Sequence, residues 1–434
     1  MNKVDKNMIK RDQSLVLLSI IIFKLTYDYI CIKYLPESNY YILNVNVTKY
    51  VFTWIVIVLF SIYSKRNQPL VPFSQKVIFF LFYLYFIPMV SLFALMDLPI
   101  NYIILVIVHW IFILFFQEYI PQFKIRKIKQ FNHSIVISLF VTTITITLLI
   151  YTYLYNGLKF NFNLLLTYEI RAIAAGADIP KLIGVLRYFA GGYLFPILIS
   201  YMFYKKRWML LSLAIFMQLC MFSIAMDKMA LFIIPVALAC AILVKKFSFE
   251  NRTKIILSIA LVSINIIALI GDALFKSVFL IVFIVRRTFL DPAVMSSFYY
   301  DFMLGKEKLL LRDGLWLYKF FEPVHGKPII SFIAEQYMGN PYAVPNSGMF
   351  AEAYTEFGGL GMLILPFLLI TVLKIIDSVS VDVDSAIMLP CAIVMSIYMQ
   401  NIYITGLTFI YSYILLLLFL YLLPRNFKRN GWPN

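Results

Sequence analysis

Cysteine, histidine and charge are all scarce in this chain. The four cysteines, Cys31, Cys220, Cys240 and Cys391, each lie inside an apolar run, and none belongs to a CxxC pair. That excludes a disulfide framework or a thiolate metal site and leaves packing as their use. Three histidines, His109, His133 and His325, are too few for a zinc site of the usual kind, so neither a metal nor a cofactor is expected. Charged residues make up 14% of the chain and hydrophobic ones 62%, where soluble domains carry roughly 25% and 45–50%. Such a chain cannot hide its apolar surface in a water-soluble core, so lipid must be its solvent. There is no low-complexity segment, Pro/Ser linker or obvious repeat, and a single integral membrane domain over 1–434 is expected.

What is present is a succession of apolar runs. A helix needs about 20 residues to cross the hydrocarbon core, and on that measure about twelve spans are expected, near 14–34, 47–64, 77–96, 99–118, 134–155, 182–203, 208–226, 228–244, 255–273, 349–372, 385–404 and 406–423. The first resembles a signal peptide, but it is too long, carries Lys24 and Asp28 and lacks a small-residue cleavage site, so an uncleaved helix is expected. The net charge of +16 comes without any base-reading motif, which argues against nucleic acid. Many of the basic residues sit in short loops instead, in alternate connections such as Lys65–Arg66, Lys124–Lys129, Lys205–Arg207 and Lys245–Lys254. Basic residues mark cytoplasmic loops, so both termini are expected in the cytoplasm.

Two connections then face outward, a smaller one at 156–181 and a large one at 271–347. Within the large one, the apolar run Ser277–Val285 is too short to cross, and DPAVMSSFYYDFM reads as an interfacial helix. Charge in or beside a span is costly and marks candidate sites. Arg187 lies inside the sixth span, ahead of Gly191, Gly192 and Pro196, and can serve a site or snorkel to the interface. Arg286 and Arg287 close an apolar run where orientation rules do not call for basic residues. Paired guanidiniums match phosphate oxygens, although Asp291 and Asp301 are also available as partners. Arg171 and Lys228 are further outer cations, equally open to an ion-pair or a turn role. His325 is the outward histidine. Glu352 lies at the start of the tenth span, where it can complement the helix dipole or act as a base.

This layout, with RRTFLDPA opening the large outer segment and NSGMFAEAYTEFGGLG closing it, resembles the O-antigen polymerases of the Wzy family. The resemblance rests on the Arg286–Arg287 pair, on Arg187, and on a pattern running through Asn346, Gly348, Glu352, Tyr354 and Gly358. It implies an all-α glycosyltransferase of GT-C type in the bacterial inner membrane, with large and small periplasmic loops. The reaction implied is metal-independent and moves a growing glycan en bloc from undecaprenyl diphosphate to the non-reducing end of a new lipid-linked unit. Arg171 or Arg187, with Arg286 and Arg287, would bind the diphosphate, and a chain-length regulator would be a partner. Glu352, or else His325, would accept the proton of the acceptor hydroxyl. An O-antigen ligase and a flippase of the same lipid-linked unit are the competing expectations.

Overall fold

The computed structural model describes residues 3–34, 42–63, 70, 72–125, 133–151, 180–225, 228–246, 249–312, 322–341, 343 and 345–423. Among them the architecture is entirely helical, with no strand. Seven helices are long and apolar enough to cross a membrane: Asp12–Tyr34, Phe73–Leu95, Ile100–Tyr119, Leu182–Tyr204, Met229–Lys246, Arg252–Phe275 and Met349–Val379. Shorter apolar helices at Val47–Ile62, Phe140–Ile150, Trp208–Ser223, Ser385–Asn401 and Phe409–Leu422 fall on the other expected spans. This is a polytopic membrane protein. In hydrocarbon every backbone polar group must be satisfied within the segment, and a helix does so.

In chain order the helices are α1 (Lys3–Tyr34), α2 (Val47–Tyr63), α3 (Phe73–Leu95), α4 (Ile100–Tyr119), α5 (His133–Tyr151), α6 (Leu182–Tyr204), α7 (Trp208–Ala225), α8 (Lys228–Lys246) and α9 (Phe249–Phe275). After a ten-residue π-helical segment, Ile281–Leu290, come α10 (Asp291–Phe302), α11 (Ile329–Gln336), α12 (Met349–Phe357), α13 (Gly361–Val379), α14 (Ser385–Asn401) and α15 (Leu407–Leu422). Shorter π turns occur at Phe82–Phe86 in α3 and Ala190–Leu194 in α6.

The chain divides into two compact units. The first comprises 1–121, 250–373 and 395–406; the second comprises 122–249, 374–394 and 407–434. In the first unit α1, α3 and α9 run parallel. Ser19 meets Tyr83 at 3.2 Å and Lys24 meets Ser91 at 2.9 Å. Along α9, Asp12 lies 3.9 Å from Arg252, Asn265 donates to Thr26 at 3.2 Å, and the Tyr34 hydroxyl donates to Asp272. These helices carry the first, third and ninth expected spans, and odd-numbered spans of an alternating chain must point the same way. In the second unit, Ile199, Leu211, Ala214 and Ala237 of α6, α7 and α8 form a core. Gln218 of α7 donates to the carbonyls of Gly191 and Ala230 at 2.9 and 2.8 Å, tying α6 and α8 together.

In the segment 271–347, the helix Asp291–Phe302 has every residue from Pro292 to Tyr300 buried in protein. Its mixed composition suggested an interfacial helix. Packing of α10 against α12 and the π segment covers both faces, and its terminal Asp301 accepts from Tyr337 at 2.6 Å.

Candidate functional site

The glycine-bearing motif builds one corner of the first unit. Gly348 precedes α12 with φ +40°, and a Cβ there would lie 2.5 Å from the Gln400 carbonyl oxygen. Only glycine allows this approach. It brings the first turn of α12 against the end of α14, where Ser347 N–H donates to the Asn401 carbonyl at 3.0 Å. Asn346 sits half-buried just before. One turn later Glu352 is fully buried. Its Oε2 accepts from Ile404 N–H at 2.7 Å, and its Oε1 from Thr405 N–H at 2.9 Å and Thr405 Oγ1 at 2.5 Å. Charge-assisted bonds of this kind are about twice as strong as neutral ones. With both oxygens engaged and no exposed surface, the carboxylate holds the α14–α15 connection and does not meet a substrate hydroxyl in this arrangement.

The other end of α12 receives residues 309–311. Leu309 and Leu310 donate to the carbonyls of Thr355 and Glu356 at 3.0 and 3.1 Å, and Leu311 N–H donates to Glu356 Oε2 at 2.5 Å. Leu310 and Leu311 have φ values of 50° and 67°. Side-chain-bearing residues held there cost on the order of 1–3 kcal/mol each, and the three bonds to α12 hold them in place. Gly358, φ +60°, ends α12 beside the Lys308 side chain. Lys308 Nζ lies 4.1 Å from the centre of the Tyr354 ring and donates to the Met303 carbonyl at 2.7 Å; burial lowers its pKa. His325 is half-buried near Phe302, with Nε2 3.2 Å from the Glu307 carbonyl oxygen. A carbonyl only accepts, so Nε2 is the donor in this contact.

The two arginines sit on the π segment. Asp291 N–H donates back to the Arg286 carbonyl, five residues earlier, which is the π spacing. Arg286 Nε donates to Asp291 Oδ1 at 3.1 Å. Burial pushes the Asp291 carboxyl above its ordinary value, against the opposing pull of Arg286. Arg286 also lines a cleft between the end of α1 and the π segment, with Tyr27, Ile30, Tyr34, Ile281 and Val282 among its other walls. Arg287, next along the helix, is exposed, 5.9 Å from the centre of the Phe283 ring. Thr288, one residue on, accepts from Gln400 Nε2 at 3.1 Å, which links the π segment to the residue that packs on Gly348.

Arg187 lies in the second unit, just before the Ala190–Leu194 π turn; it is half-buried, and its Nη1 is buried without a hydrogen-bond partner among the described residues. Lys228 is the first residue of α8. Arg171 and most of the 156–181 connection lie outside the described residues. Among the described residues no cluster of His, Cys, Asp and Glu could hold a metal ion.

One feature of the first unit was not singled out from the sequence as a site. Lys24 Nζ donates to Asp28 Oδ2 at 2.7 Å and to Ser91 Oγ at 2.9 Å, and lies 4.9 Å from the ring centres of both Tyr50 and Trp54. The signal was available, since opposite charges four apart in an apolar span form a pair on one helix face. No protein-family model, curated protein or solved structure matches the chain.

Proposed function

We propose that the protein is a glycosyltransferase that polymerises oligosaccharide repeat units carried on undecaprenyl diphosphate, as an O-antigen polymerase of GT-C type does. In this reading the five shorter apolar helices also cross, giving twelve spans. Both termini are cytoplasmic, and the Arg286–Arg287 segment faces the periplasm of the bacterial inner membrane. A chain-length regulator is the expected partner.

The observation that carries the reading is Arg286 lining a cleft walled by Ile30, Ile281 and Val282, with the exposed Arg287 next in the chain. Asp291 fixes Arg286 there, and exposed Arg287 stands next to it. A leaving diphosphate gathers negative charge as the bond to the anomeric carbon breaks. Cations already in place stabilise that charge without reorganising. The acceptor hydroxyl oxygen attacks the anomeric carbon, the carbon–oxygen bond to the diphosphate breaks, and the diphosphate leaves with the electron pair. The hydroxyl proton passes to a base. With both Glu352 oxygens engaged, His325 is the remaining candidate for that role, and Glu352 becomes the residue that positions the corner. Arg187 supplies a separate anion contact in its own unit.

The test is a deletion strain complemented with variants and read on a lipopolysaccharide gel. Loss of the ladder with single-unit capping retained is expected for the deletion and for Arg287→Ala. Loss of all capping would point to a ligase or flippase, and a normal ladder from Arg287→Ala would remove the reading.

A further inference from the structure

We infer that the cleft between the end of α1 and the π segment is the seat of the lipid: the first isoprene units of a polyprenyl diphosphate lie in it, with the head on Arg286 and Arg287. This rests on the function proposed above and adds a location for the hydrocarbon, which nothing in that reading supplies.

The lining is divided in the way an amphiphile requires. One wall is Tyr27, Ile30 and Tyr34 of α1, the other Ile281, Val282 and Val285, and the charged side chain among the lining residues is Arg286. Hydrocarbon can lie against the aliphatic side chains of these walls, while an anion at the Arg286 end meets a guanidinium. The cleft also opens toward lipid. Val278, itself a lining residue, is 38% exposed, and the adjoining elbow exposes Leu274 at 70%, Phe275 at 77% and Phe279 at 46%. In a membrane-embedded chain such side chains face acyl tails, so a ligand reaches this cleft from within the bilayer.

The width of the cleft is held at its rim. The Tyr34 hydroxyl donates to Asp272, and Lys33 Nζ lies 3.5 Å from the same carboxylate, pinning the end of α1 to the end of α9. Deeper along α1, Lys24 and Asp28 fix its register against α3. Charge selects the head. A phosphodiester lipid brings one negative charge, whereas a diphosphate brings more than one phosphate group, for Arg286 at the cleft and for the exposed Arg287 that follows it in the chain.

The experiment measures binding of farnesyl diphosphate and of inorganic diphosphate to the full chain in detergent, for wild type, Val282→Trp, Val278→Trp and Arg287→Ala. Wild type is expected to bind the farnesyl compound at least tenfold more tightly than inorganic diphosphate. Val282→Trp fills the cleft and should remove that advantage while leaving inorganic diphosphate binding unchanged. Val278→Trp at the exposed mouth, where the added ring has open space and folding is undisturbed, should reduce the advantage in the same direction. Arg287→Ala should weaken both ligands. Both tryptophan variants binding farnesyl diphosphate as wild type does would overturn the proposal. So would competition by phosphatidic acid as effective as that by undecaprenyl diphosphate, which would make the cleft a seat for a structural phospholipid. If the cleft behaves as expected while a deletion strain still makes a normal ladder, the polymerase reading fails and the lipid seat stands.

Discussion

Two cation–aspartate pairs in the first unit have the same chemistry and opposite surroundings. Lys24 and Asp28 meet at 2.7 Å in mid-helix, with side chains 0% and 2% exposed. Arg286 and Asp291 meet at 3.1 Å beside the cleft, with side chains 24% and 22% exposed. In the first pair the ammonium is enclosed by Asp28, Ser91, Tyr50 and Trp54. No ligand reaches it, so what it can contribute is register: α1 is held at one rotation against α2 and α3. In the second pair the guanidinium lines an open cleft and has an exposed arginine for a neighbour. A sealed charge is architecture, and a half-open one can exchange a protein carboxylate for a phosphate. The Glu352 corner belongs with the sealed pair.

The comparison is broken most forcefully at Asp28. Asp28→Leu strands a buried ammonium, and removing one partner of a buried pair costs about 3–5 kcal/mol. Chemical or thermal unfolding in detergent should record that loss, and Lys24→Met with Asp28→Leu should restore most of it. Equal losses in the single and double variants would mean that the pair is not coupled.

Glu352→Gln comes next. It keeps the shape but takes the negative charge from three donors, and hydrogen bonds to charged groups are worth about 1.5–3 kcal/mol. Stability and polymer length should fall together. A fully stable Glu352→Gln that has lost activity would return the residue to the role of base.

Arg287→Ala sharpens the contrast from the open side. Surface substitutions of this kind stay within about 0.5 kcal/mol, so the melting temperature should hold while the polymer ladder disappears.

The smallest effect is expected at a more open pair, Lys49–Asp97, at 2.6 Å beside the turn after α3. The hydrogen bond from Lys49 holds the Asp97 carboxyl below its ordinary value. Its contribution is therefore present above the unfolded carboxyl value and lost as pH falls through the lowered one. Asp97→Asn should lower the neutral plateau of a melting-temperature profile slightly, leave its acid end unchanged, and so flatten the acid limb.

The sequence made the helices legible because run length alone identifies a membrane helix, and every long helix falls on an expected span. Arg286 and Arg287 stood out because charge beside lipid is rare. The partners of Glu352 were not legible. Ile404 and Thr405 lie more than fifty positions away, and only the approach at Gly348 brings them near. The burial of α10 was hidden for a related reason: its mixed composition does not show which neighbours in space cover it. The division into two units left no mark, since no linker or change of composition separates them. Lys24 and Asp28 were visible as charges, but their sealed environment depends on Ser91, Tyr50 and Trp54 from other helices.

The most direct measurement is the affinity of the purified protein for undecaprenyl diphosphate, in wild type and in Arg287→Ala of unchanged melting temperature. At least a tenfold loss in the variant is predicted. Equal affinity in the two proteins would contradict the assignment of the half-open arginine pair as the phosphate-binding element.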